Sequence, residues 1–143
     1  MKILRKASAA WSGTIKEGKG SISTQSGALT AFPYGFASRF EGRHGTNPEE
    51  LIGAAHAGCF TMALSLILGQ ANLTPQLLET SAEVTLEQID GKYTISGVHL
   101  VLKAKVPGAT AAQFNELAGQ AKADCPVSRL LNARVTLDAT LVS

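Results

Sequence analysis

From Ala7 to about Phe40 the chain alternates small or apolar positions with polar ones in short pieces, as in Ala9, Trp11 and Gly13 or in Gly20-Ser21-Ile22-Ser23-Thr24. A period of two in pieces this short predicts half-buried strands joined by turns, here a small antiparallel meander. Glu41 to Asn47 is a polar loop broken by Gly. Asn47-Pro48-Glu49-Glu50 then supplies a capping Asn, a Pro for the first helical position and two carboxylates for the first turn. The helix that starts at Pro48 should run to about Gly69 or Gln70, roughly 33 Å at 1.5 Å per residue. It is apolar on nearly every face, which places it inside the protein.

The period of two returns in Ser81 to Gln88, with Ala82, Val84 and Leu86 on one face, and in Lys92 to Val106. Asp90-Gly91 between them is a strong two-residue hairpin signal. Pro107-Gly108 ends the pair, and Thr110 to Lys122 has helical spacing, with Ala111, Phe114, Leu117 and Ala121 on one side. Cys125-Pro126 opens a short helical piece through about Leu131, and Ala133 to Val142 alternates as a last strand. The predicted class is α+β, with antiparallel sheets around a long buried central helix. With 143 residues and no repeat or linker, the chain is expected to form a single domain over 1–143.

A hydrophobic content of 45% against 17% charged residues excludes a disordered chain. Thirteen basic and eleven acidic residues give a formal charge of +2 with no run of like sign, which argues against nucleic acid or anionic lipid as partner. Leu51 to Leu68 is long enough to span a membrane, yet it holds His56, Thr61 and Ser65 and follows two carboxylates, so a core helix explains it better. Met1 to Ala10 lacks the apolar stretch of a signal peptide, so a cytoplasmic location is expected. Two cysteines are too few for a disulfide scaffold there, and any bond between them would be transient and chemical.

Cys59 sits within the central helix, with Ile52, Ala55, His56, Met62, Ala63 and Leu66 near its face. It reads either as a small buried hydrophobe or as a nucleophile. Cys125, in Asp124-Cys125-Pro126-Val127-Ser128, reads either as an N-cap substitute or as a thiol whose thiolate the free amides of a helix start would favour. The two thiols could meet in the fold and form a reversible disulfide. A nucleophilic thiol needs a cation nearby, and Arg39 in Phe36-Ala37-Ser38-Arg39-Phe40 is the best candidate. The flanking aromatics predict a semi-buried strand, whose guanidinium would seek a carboxylate such as Glu49 or Glu50. Glu50 reads as surface charge, and Arg43 and Arg129 as solvated alternatives. A zinc site is the competing reading: His56 and Cys59 share a helix face, and Cys125 and His44 could complete a tetrahedral set. His-x-x-Cys is common by chance, however, and His56 reads more simply as a core histidine with a hydrogen-bond partner, and His99 as an exposed strand residue.

Tyr34-Gly35-Phe36-Ala37-Ser38-Arg39-Phe40-Glu41-Gly42, the run from Gly45-Thr46-Asn47-Pro48 through Ala57-Gly58-Cys59-Phe60, and Cys125-Pro126-Val127-Ser128 together resemble the OsmC branch of the OsmC/Ohr family across essentially the whole chain. The resemblance implies an OsmC/Ohr-like fold, an intertwined homodimer, and a thiol peroxidase that reduces organic hydroperoxides, and hydrogen peroxide less readily, without metal, haem or other cofactor. It implies that Cys59 is the peroxidatic thiol, Cys125 the resolving thiol, and Arg39 with Glu49 the charged pair that activates the thiolate and orients peroxide. A dithiol, for instance on a lipoyl protein, must then restore both thiols. The rival function is a redox-sensing or ligand-binding module that uses the same disulfide as a switch. Glu49 and Cys59 are ten residues apart on one helix, about 15 Å along its axis and roughly 80° around it, so one helix does not bring them together. Two central helices packed antiparallel about a two-fold axis would, and the small residues of Gly53-Ala54-Ala55 and Ala57-Gly58 would allow the approach.

Overall fold

The computed structural model describes residues 1–143 in the order β1(Ala7–Ser12), β2(Lys19–Thr24), β3(Phe32–Tyr34), α1(Phe36–Phe40), α2(Pro48–Gln70), β4(Leu77–Ile89), β5(Lys92–Lys105), α3(Ala111–Asp124), α4(Pro126–Leu130) and β6(Arg134–Val142). The chain divides into two compact units, Met1–Leu51 and Ile52–Ser143.

In the first unit β1, β2 and β3 form the expected antiparallel meander, with Ala9 opposite Ile22 and Ile22 opposite Phe32. Phe36–Phe40 is a short helix, not the strand expected around Arg39. Local hydrogen bonds decide this: the Gly35 amide donates to Ser38 Oγ at 2.9 Å, and the same hydroxyl lies within donating distance of the Gly35 carbonyl (3.1 Å) and the Thr46 carbonyl (2.9 Å). Phe36 and Phe40, four residues apart, bring their rings to 4.9 Å on one side of the turn. The buried side chains of this unit are Ser38, Thr46 and Glu49, and no apolar side chain among its residues is buried to the same degree.

The second unit holds the hydrophobic core. Asp90 and Gly91, both at positive φ (52° and 76°), close the β4–β5 hairpin in the conformation that two-residue hairpin turns require. The register sets rows of inward side chains across the sheet, such as Val84, Val98 and Val135, or Ala82, Leu100 and Leu137. β6 lies parallel to β5, so this sheet is mixed where an antiparallel one was expected. The reason is the connection: α3 and α4 carry the chain back to the starting end of β5, as a parallel crossover requires. Phe60, Leu64 and Leu68 of α2 and Phe114, Ala118 and Ala121 of α3 are buried among Val98, Leu100, Leu102 and Ala104. Each large apolar side chain so buried contributes about 1.5–3 kcal/mol. Gly53 lets α2 approach β4 closely, since a Cβ there would lie 3.3 Å from Val84 Cγ2.

The central helix keeps its expected limits, Pro48 to Gln70, and the Asn47 side chain caps it by accepting from the Glu50 amide at 2.7 Å. It is long and apolar enough to cross a membrane. In the single chain it buries one face only. Ala54, Ala55, Gly58, Met62, Ser65 and Leu66 remain exposed, Met62 at 77% and Leu66 at 63%.

Candidate active site

The structure brings the candidate residues together as two pairs, one in each unit. In the first, the Arg39 guanidinium grips the Glu49 carboxylate in a fork: Nη2 donates to Oε1 at 2.7 Å, and Nε lies 3.1 Å from Oε1 and 3.3 Å from Oε2. The Glu49 side chain is 10% exposed and that of Arg39 35%. A nearly buried carboxylate held by a two-point donor fixes the guanidinium plane. Arg39 Cζ also sits 5.4 Å from the centre of the Phe40 ring. Glu50 is exposed, as expected, and accepts a hydrogen bond from Thr46 Oγ1 at 2.7 Å.

In the second unit α2 presents Cys59, half-buried, to Cys125, which is fully buried between α3 and α4. Cys125 is a pivot: its amide donates to the Ala121 carbonyl at 3.0 Å, closing α3, and its carbonyl accepts from the Arg129 amide at 3.1 Å, opening α4. Pro126 follows at the first helical position. The Cys125 side chain and the Val127 backbone lie close enough to the Cys59 thiol to act on it. Burial pushes its pKa up from the ordinary thiol range, the Val127 backbone pulls it down, and the neighbouring Cys125 thiol pushes it up again. Both cysteines are free thiols and stand as neighbours, as reversible disulfide chemistry requires.

A cleft of about 600 Å³ opens beside Cys59, lined by Met62, Ala63, Leu66 and Ile67 of α2 and edged by Gln120 and Asp124 of α3. Ala55, placed near the thiol by helical spacing, does not line it. Gln120 and Asp124 escaped the sequence reading. Their spacing of four, in the last turn before Cys125, is the signal that points to them.

His56 is the core histidine expected: its ring is fully buried and its Nε2 shares a hydrogen bond of 2.7 Å with Ser128 Oγ. Burial lowers its pKa, which keeps the imidazole neutral. No three His, Cys, Asp or Glu side chains stand together in a metal-binding arrangement, and the His44 ring lies tilted beside Phe32 in the first unit, 6.3 Å between centres. His99 has a side chain 37% exposed and is held between Thr136 Oγ1 at 2.6 Å and Asp138 Oδ2 at 3.1 Å.

Residues 40–140 match the family model of OsmC-like proteins. The chain belongs to the OsmC family. It is 52% identical to the peroxiredoxin OsmC of Escherichia coli K12 over 143 residues, the full length of both chains. It is 32% identical over 101 residues to the organic hydroperoxide resistance protein of Xanthomonas axonopodis pv. citri, covering 70% of this chain and 69% of that one. The crystal structure of the organic hydroperoxide resistance protein OhrB of Bacillus subtilis superposes with a TM-score of 0.68 at 25% identity, covering 96% and 98% of the two chains. The α+β class and OsmC/Ohr-like fold expected from the sequence are therefore those of this chain.

Proposed function

We propose that this OsmC-family protein is a cysteine-based peroxidase that reduces organic hydroperoxides in defence against oxidative stress. The pairing of Cys59, at the edge of an apolar cleft, with the neighbouring Cys125 thiol carries this reading. Full-length similarity to a peroxiredoxin supports it. In the proposed cycle the Cys59 thiolate attacks the outer peroxide oxygen, the O–O bond breaks and the alkoxide leaves as the alcohol after taking a proton. The Cys59 sulfenic acid condenses with Cys125 to a disulfide and water, and a dithiol restores both thiols. Arg39 and Glu49 serve as the charged pair that favours the thiolate and orients the peroxide. The whole chain acts as one OsmC-like domain in the cytoplasm.

The partner we propose is a second copy of the chain, in an intertwined homodimer. Two observations support it. The first unit leaves Trp11, Ile15 and Phe32 exposed and has no core of its own, so it needs cover from elsewhere. The open face of α2 carries Ala54, Ala55 and Gly58 beside Met62 and Leu66, small residues that admit a close helix and apolar ones that reward it. Glu49→Ala chains refolded together with Cys59→Ser chains are expected to recover one working site per hybrid dimer. Inactivity of verified hybrids would place each site within one chain.

Steady-state turnover with a dithiol such as dihydrolipoamide tests the activity. Cumene hydroperoxide is expected to give a kcat/KM at least about tenfold above that of hydrogen peroxide, because burying a few CH₂ groups at about 0.8 kcal/mol each outweighs one decade of rate. Equal efficiencies would count against the cleft as the peroxide site. One oxidation with no turnover under excess dithiol would favour the switch.

A further inference from the structure

We propose that His56 is a positioning residue for the second half of the reaction, holding α4, and with it Cys125, against Cys59 through Ser128. The inference rests on the assignment of Cys59 as peroxidatic and Cys125 as resolving thiol. His56 lies one turn before Cys59 on the rigid central helix, and Ser128 lies three residues after Cys125 on α4. Their hydrogen bond at 2.7 Å joins positions 72 residues apart in sequence. It spans the two elements that the disulfide must bridge.

Besides this hydrogen bond and the buried Cys125 at its start, α4 is held only by the partial packing of Val127 and of Leu131 at its end against the core. It has five residues, none fully buried, and its N-terminus receives no side-chain cap. So short a helix does not keep its place by its own backbone bonds. The His56 ring is fully buried and its Nδ1 has no hydrogen-bond partner, so the bond to Ser128 is the one that the imidazole makes. Breaking it strands a second buried ring nitrogen, which makes the anchored position of α4 the favoured one.

In the step concerned, the Cys125 sulfur attacks the sulfenic sulfur of Cys59. The S–S bond forms as the S–O bond breaks, and the thiol proton leaves with the hydroxide as water. Peroxide attack on Cys59 precedes this and does not use Cys125 as a reactant. Loosening α4 should therefore slow closure of the disulfide far more than the first oxidation. The sulfenic acid then lives longer and meets a second peroxide more often.

The test is rapid mixing of the full-length Ser128→Ala protein with one equivalent of cumene hydroperoxide. Peroxide loss and free-thiol loss are followed separately, and sulfinic acid is read by mass spectrometry after many turnovers. Peroxide consumption is expected within about twofold of the unaltered protein, with closure about tenfold slower, the factor that one neutral hydrogen bond supports. The sulfinic fraction should rise in step, and Ser128→Thr, which keeps a hydroxyl, should restore closure. His56→Leu, of similar volume, should slow closure as Ser128→Ala does, and the double variant should be no slower than either single one. Closure at the native rate in a folded Ser128→Ala or His56→Leu protein overturns the proposal, as does equal slowing of both steps. Cys125→Ser separates the two levels: full turnover in that variant sinks the resolving role and this proposal with it. Blocked turnover there beside native closure in Ser128→Ala sinks the positioning role alone.

Discussion

The Cys59→Ser protein is expected to lose organic hydroperoxide turnover by a factor on the order of 10⁴ or more, the scale seen when a covalent nucleophile is removed. Cys125→Ser should instead consume one equivalent and stop, with Cys59 held as sulfenic acid or driven on to sulfinic acid by excess peroxide. The first oxidation in Cys125→Ser should be no slower than in the unaltered protein near neutral pH. Cys125 helps to push the Cys59 pKa up, so removing that thiol favours the attacking thiolate. The sign also fixes the pH profile. A raised pKa leaves a small thiolate fraction at neutrality, and the first oxidation should quicken about tenfold per pH unit through the range below that pKa. Folding stability should run the other way. A thiol whose pKa is higher folded than unfolded contributes stability that is complete below the unfolded value and lost as pH rises through the folded one. Stopped-flow peroxide consumption and thermal melts between neutral and alkaline pH read these effects. One-equivalent consumption by Cys59→Ser with none by Cys125→Ser would reverse the two roles.

Legibility followed the range of the interactions. Pro48, its capping Asn47 and the Asp90-Gly91 turn act over a few residues, and each set its element where the sequence placed it. Phe36-Ala37-Ser38-Arg39-Phe40 failed because five residues with two aromatics fit either period, and the decision fell to the Ser38 hydroxyl reaching the distant Thr46 carbonyl. The error cost nothing at the candidate site, since the demand of a half-buried guanidinium for a carboxylate does not depend on the element that carries it. The direction of β6 depends on a crossover of two helices, which strand alternation does not record. The partner of His56 was unreadable for a similar reason: its need for a hydrogen bond is local, but Ser128 meets that need only through the folding of α4 beneath α2.

Arg39 and Glu49 offer the second large effect, because the pair separates stability from catalysis. Arg39→Ala leaves the Glu49 carboxylate, 10% exposed, without its counter-charge. Removing one partner of a fully buried pair costs about 3–5 kcal/mol. The 35% exposure of the guanidinium admits water to its place, which reduces the expected cost to roughly 1–3 kcal/mol. Glu49→Gln should cost less, about 0.5–1 kcal/mol, since the amide oxygen still accepts from the guanidinium, whose charge remains partly open to solvent. Arg39→Lys should fall between them, because a point donor does not reproduce the fork. The double variant Arg39→Met with Glu49→Leu replaces both charges by apolar groups and should unfold in urea close to the native midpoint. Its kcat/KM should nonetheless fall on the order of 10²-fold, the loss that follows removal of one preorganised charge from a reacting centre. A double variant that keeps both native stability and native kcat/KM would leave the ion pair a fastening of the first unit, with no part in activating Cys59.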